Sequence, residues 1–137
     1  MTRIRNDQIQ TALVSKLKAD TTVTAELDDT DEIREDQWHG TEFSYPNIRV
    51  RIISNKPLKN SDCDQLTIGV GFQVFSEDAS SMEADRIAGI IDNALHDKPF
   101  SQDSLLIALR TDDLIPAIRS NMRTWKSEVL MNGIVSG

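Results

Sequence analysis

The chain has 137 residues, with 15 Lys and Arg against 22 Asp and Glu, a net charge of -7, and 39% apolar but only 5% aromatic residues. One ordinary hydrophobic core suits that length, so the expectation is a single domain over residues 1 to 137, and the lone Cys63 excludes an internal disulfide framework. No apolar run approaches the roughly 20 residues that cross a bilayer, Met1-Thr2-Arg3-Ile4-Arg5 leads into polar residues instead of an apolar signal segment, and an acidic chain is poorly made for gripping phosphate; a soluble protein of a reducing cytoplasm, with no membrane partner, is expected.

In chain order, Ile9, Leu13 and Leu17 recur every fourth residue with Ala12 beside them, which predicts a first helix. Asn6 or Asp7 can cap it, and Lys16 and Lys18 favour the negative end of its dipole. A single apolar stripe on a short helix implies docking on a sheet. Residues 20 to 46 follow with little apolar periodicity and read as a long loop, with Ile33 to Trp38 a weak strand candidate. The chain's acidity sits here: residues 20 to 42 hold nine acids and one base, a net of -8, while the remainder holds 13 acids and 14 bases, a net of +1.

Asn47 to Ser54 alternates, with Ile48, Val50 and Ile52 on one face and Asn47, Arg49 and Arg51 on the other. Leu66 to Phe75 does the same, setting Leu66, Ile68, Val70, Phe72 and Val74 opposite Thr67, Gly69, Gly71 and Gln73. Turn-forming residues 55 to 62 join them, which predicts an antiparallel hairpin with a polar tip. Ser80-Ser81-Met82-Glu83 has the form of a capping box, and Ala84, Ile87, Ala88, Ile91, Ala94 and Leu95 make a continuous stripe, so residues 81 to 96 are the clearest helix. Pro99 stops it. Leu105 to Arg110 and Leu114 to Arg119 look like strands, with a short helix the alternative at the first. Met122 to Met131 reads as the last strand, Trp125, Val129 and Met131 facing one way and Lys126 and Glu128 the other. The order describes an α+β fold, an antiparallel β-sheet packed by two main helices on one face.

Chemical motifs are sparse. Gly69-Val70-Gly71 lies inside a strand, not at a strand-to-helix turn, so it reads as a flat patch where something packs closely, not as a phosphate loop. His96 closes a helix, where an imidazolium suits the dipole; His39 has no nucleophile context around it. Cys63 stands between Asp62 and Asp64, a setting opposed to thiolate formation. The run Asp28-Asp29-Thr30-Asp31-Glu32 lacks the spaced ligands of a calcium loop, and Asp112-Asp113 read as turn residues. No catalytic residue, cofactor or metal is expected. Surface-prone aromatics remain: Trp38, Phe43 and Tyr45 in the acidic segment as candidate anchors for a partner, Phe75 at a strand end, and Trp125, whose plainer reading is core packing.

The helix Ile9-Gln10-Thr11-Ala12-Leu13, the strand opening Tyr45-Pro46-Asn47-Ile48-Arg49-Val50, the strand Gly71-Phe72-Gln73-Val74-Phe75-Ser76 leading into a helix, and the closing Trp125-Lys126-Ser127-Glu128-Val129-Leu130 together resemble the tail terminator (tail completion) proteins of long-tailed bacteriophages. The resemblance follows element order over nearly the whole chain. It implies a non-enzymatic structural subunit of the virion, assembled in the host cytoplasm. Such a subunit forms a hexameric ring, caps the tail tube protein at its final length and meets the head-completion protein, with DNA only passing through. Candidate contacts to a neighbouring subunit or partner are Trp38, Phe43, Tyr45, Arg119, Arg123 and Lys126. Asp28, Asp29, Asp31, Glu32, Glu35 and Asp36 either line the channel, where carboxylates repel a passing duplex, or meet Arg110, Arg119, Arg123 and Lys126 of a neighbour. A reading from another class is a small monomeric α+β adaptor that binds a basic partner through the acidic loop.

Overall fold

The computed structural model describes residues 4–36, 40, 43–57 and 65–137. Helix α1 spans Asn6–Ala19, and a four-residue helix α2, Thr21–Thr24, follows directly. A 3-10 turn at Thr30–Glu32 then leads to strand β1, Ile33–Glu35. Strands β2, Asn47–Pro57, and β3, Gln65–Ser76, precede helix α3, Met82–Leu95. Strands β4, Phe100–Gln102, β5, Leu105–Arg119, and β6, Trp125–Ser136, complete a six-stranded sheet in the order β1-β2-β3-β6-β5-β4. Among the described residues β1–β2 is the one parallel strand pair, beside an isolated parallel bridge between His96 and Leu109.

Alternation decides the sheet's two faces. Register aligns Val50, Phe72 and Val129 across three strands, then Val70 with Met131 and Leu66 with Val135, and all of these are buried. Ile9, Leu13 and Leu17 of α1 and Ile87, Ile91 and Leu95 of α3 cover them with no exposed surface of their own. Helix α1 packs on β1 and β2 at one edge of the sheet and reaches β4 at the other, so the sheet curls around the helical layer. Trp125 packs against this core while half-buried.

Several local expectations are corrected. Neither Asn6 nor Asp7 caps α1: Arg5 is the cap position, and Gln8 reaches back to accept its N–H at 2.8 Å. Asn6 is engaged elsewhere, accepting from Asn55 of β2 at 2.6 Å. The box before α3 is also different. Ser80 Oγ accepts the Met82 N–H, but Glu83 turns away to take the Ser76 hydroxyl at 2.6 Å, tying the helix start to the end of β3. Residues 20 to 36 are only partly loop: α2, the 3-10 turn and β1 lie within them, β1 bearing out the strand candidate at its Ile33 end, and Val23, Leu27 and Ile33 are buried anchors too far apart to show periodicity.

Residues 105 to 119 form one strand, not two strands or a helix. Asp103 and Ser104, at φ 52° and 67°, make the two-residue turn that joins β4 to β5, and two register shifts, at 111/113 and 115/118, absorb the broken alternation around Asp112-Asp113 and Pro116. The backbone N–H groups at those irregular places are satisfied from α3: Thr111 donates to His96 Nδ1 at 2.9 Å and Ala117 to Asp85 Oδ1 at 2.7 Å, while the Thr111 hydroxyl bonds Asp92. His96 thus receives the Thr111 N–H at the helix end, and its Nε2 lies 3.3 Å from Asp97 Oδ2. The last strand starts at Trp125, after a tip at residues 120 to 124, and runs on to Ser136.

Candidate functional site

The helices cover one face of the sheet, and the other face presents the outward rows of β2, β3, β6 and β5. Register sets Phe75 beside Lys126 and Lys126 beside Ile118, then Gln73 beside Glu128 and Glu128 beside Ile115. The Gly69 and Gly71 patch lies here, and the expectation of close packing is met. A β-carbon at Gly71 would lie 3.5 Å from Ile53 Cδ1 and from Leu130 Cδ2, and 3.0 Å from Glu128 Oε2. Ile53 is the extra residue of a register shift in β2, which is why it lies over this patch. Toward the far end of the same face, Ser54, Lys56, Thr67, Asn132, Ile134, Ala108 and Arg110 line a cleft of about 530 Å³. Gly133 is part of its lining, held so close to β5 that a β-carbon there would meet the Ala108 carbonyl oxygen. Asn132 and Ile134 could have been read as outward positions had the alternation been followed beyond Met131.

The aromatic candidates divide. Phe43 is 49% exposed and meets Tyr45 edge to face, with ring centres 5.7 Å apart. With Asp36, Gly40, Asn47, Arg49 and Phe75 they line a hollow of about 250 Å³. Trp38, His39 and Cys63 lie outside the described residues, as do residues 58 to 62 of the hairpin tip.

The acidic candidates divide as well. Asp28, Asp29, Asp31 and Glu35 are exposed, and Asp36 is half-buried. Glu32 is not a surface carboxylate: it is 3% exposed, and its Oε1 lies 3.2 Å from Arg49 Nη2. Arg49 Nη1 also donates to the Glu32 carbonyl at 2.6 Å, and Ser44 N–H donates to Glu32 Oε2 at 2.9 Å. Glu32 is thus withdrawn from any channel lining, and it clamps the acidic segment to β2. Asp29 accepts the Asp31 N–H and so shapes the 3-10 turn, and Asp31 makes a long, exposed pair with Lys18 at 3.7 Å. Glu26 joins Arg86 of α3 at 2.9 Å.

The basic candidates Arg119, Arg123 and Lys126 are brought together at the end of the β5–β6 hairpin. Asn121 Oδ1 accepts from Arg123 and Thr124 N–H at 3.0 Å each and shapes the tip. Arg119 stacks over Trp125, 5.2 Å from the ring centre. Beside these cations Met122 is 88% and Ile118 61% exposed, a patch the sequence reading missed by placing Met122 inside a strand. Arg110, expected among the basic contacts, instead pairs with Asp97 at 2.9 Å within its own chain.

The class is therefore a mixed α+β protein, with two long helices and two short helical turns lying with a curled six-stranded sheet. Neither a protein-family model nor a curated protein matches the sequence. The fold is shared with a solved chain from the virion of a native gene transfer agent (GTA) particle, at 15% identity and a TM-score of 0.71, over 94% of this chain and 95% of that one. A second solved chain matches at 14% identity and a TM-score of 0.66, over 98% and 97%.

Proposed function

We infer that this chain is a structural subunit of a phage-like virion and, within that class, a tail terminator: a ring that caps the tail tube at its final length and docks the head-completion protein. The observation that carries the reading is the end-to-end match to a virion chain, 94% of this protein on 95% of that one. The sequence resemblance to terminators supports the same reading independently. The surfaces suit it, since an exposed apolar and basic hairpin end and an exposed acidic flank on one subunit are the two unlike patches that head-to-tail closure requires. The cleft and the aromatic hollow on the uncovered sheet face offer a second docking surface for an axial partner.

The test is tube growth. Purified tail tube protein is polymerised with and without this chain, and tube lengths and the position of bound protein are measured by electron microscopy. The reading expects growth to stop where the chain is found, at one end only. Unaltered lengths together with no bound chain would refute it.

A further inference from the structure

The hairpin end of β5–β6 is an unpartnered patch, and its chemistry identifies the occupant. Met122 and Ile118 are 88% and 61% exposed; register sets Ile118 beside Lys126 on one face of the hairpin and Arg119 beside Trp125 on the other, with Met122 and Arg123 in the tip. Among the described residues none of these three cations is in an ion pair. Glu77 and Asp78 follow the end of β3 in a neighbouring turn, yet they leave the cations unpaired; the Asp78 carboxylate accepts the Ala79 N–H instead. A surface of this kind fits an acidic partner with some apolar area.

The same molecule carries such a partner surface on the other flank. Asp28, Asp31 and Glu35 are exposed along and before β1; Lys18 lies 3.7 Å from Asp31 and lines one hollow with Glu35. Strands β2, β3 and β6 stand between β1 and β5, four interstrand spacings or about 19 Å along the curled sheet. The acidic flank begins near the hairpin end of the sheet, since Ile33 shares a row with Ile48, Val74 and Ser127, and Glu35, in the row of Val50, Phe72, Val129 and Leu114, lies nearer the middle. Subunits placed side by side in a common orientation bring the hairpin end of one against the acidic flank of the next, and a constant rotation at each step closes a ring.

We propose that Met122, Ile118, Arg119 and Arg123 of one copy dock on the Asp28, Asp31 and Glu35 flank of a second copy. This rests on the ring reading above and names the surfaces that make the ring. Exposed ion pairs alone contribute little, so Met122 and Ile118 supply the buried area while the charges fix register and exclude the wrong edge. The acidic flank is then an intersubunit surface and not a channel lining.

The test is a charge swap. One variant carries Arg119→Glu and Arg123→Glu, the other Asp28→Lys, Asp31→Lys and Glu35→Lys; Asp29 is spared because its carboxylate shapes the 3-10 turn. Assembly is followed by light scattering, alone and with purified tail tube. Each variant by itself is expected to need at least a tenfold higher concentration to assemble than the wild type. An equal mixture of the two is expected to recover assembly, because both alternating contacts then join opposite charges, and the recovery shows that each variant is folded. A single chain carrying all five substitutions is expected to recover as well. Wild-type rings that both variants form equally well would overturn the docking while leaving the ring reading intact. Wild type that stays monomeric with tube present overturns both. Salt-insensitive assembly coupled to altered passage of duplex DNA through rings of the acidic-flank variant would overturn the docking in favour of a channel lining.

Discussion

The acidic segment at residues 20 to 36 and the hairpin end at residues 111 to 125 are both irregular in sequence, and they are held by opposite means. The first is fixed from inside. Three spaced apolar anchors, Val23, Leu27 and Ile33, enter the core, and the buried Glu32–Arg49 pair clamps it to β2. The second is fixed from outside its own sheet, by Asp85 and Asp92 of α3 and His96 just past its end, bonding Thr111 and Ala117 at the two register shifts. A buried charge pair is all-or-none, whereas partly exposed bonds to backbone can yield one at a time. The flank is therefore expected to be rigid and the hairpin end to open locally.

The largest break should come from the flank. Glu32→Ala leaves the Arg49 guanidinium buried without its carboxylate and is expected to cost about 3–5 kcal/mol in denaturant unfolding. The paired change Glu32→Leu with Arg49→Met should recover most of that loss, and a double variant as unstable as Glu32→Ala would remove the ion pair from the account. His96→Ala, which strips the Thr111 N–H of its acceptor, is expected to cost about 1–2 kcal/mol. Its signature is local: amide exchange should quicken at residues 111 to 119 and stay unchanged in β2. Uniform quickening over the whole sheet would mean that the hairpin end is not a separate unit.

Smaller effects sharpen the same contrast. Asp20 caps α2, and the Thr22 hydroxyl at 2.5 Å, then the backbone N–H of Thr22, hold its carboxyl below the usual range against the opposing cost of partial burial. A lowered folded-state value means that its contribution is complete at neutral pH and is lost as pH falls through the carboxylate range and below. Asp20→Ala is expected to cost about 0.5–1 kcal/mol at pH 7, with the difference from wild type vanishing in acid. A difference that persists at low pH would assign the loss to packing. Lys18→Ala removes only the exposed 3.7 Å contact to Asp31 and should stay within about 0.5 kcal/mol by thermal melting.

The contrast also marks what was legible in sequence. Regular alternation exposed β2 and β3, and the continuous stripe from Ala84 to Leu95 exposed α3, because each buries a whole face and so repeats its signal. Glu32 was hidden since its partner lies 17 residues away, and no local pattern distinguishes a buried acid from the solvated ones beside it. In β5 the shifts at Asp112-Asp113 and Pro116 broke the period, and the bonds that restore it come from a helix earlier in the chain. Arg119, Arg123 and Lys126 could be grouped because they are near in sequence, whereas their junction with Met122 and Ile118 depended on where the turn falls. Phe43, Tyr45 and Phe75 were each visible in sequence as surface-prone rings, and only their junction in one hollow depended on strand register.

The most direct measurement is the mass of the chain assembled on purified tail tubes, by native mass spectrometry or scanning transmission electron microscopy of single particles. The account predicts a closed ring of about six copies of the 15.4 kDa subunit at one end of each tube. A chain that remains a monomer at high concentration with tubes present, or that binds along the tube wall in no fixed number, would contradict it.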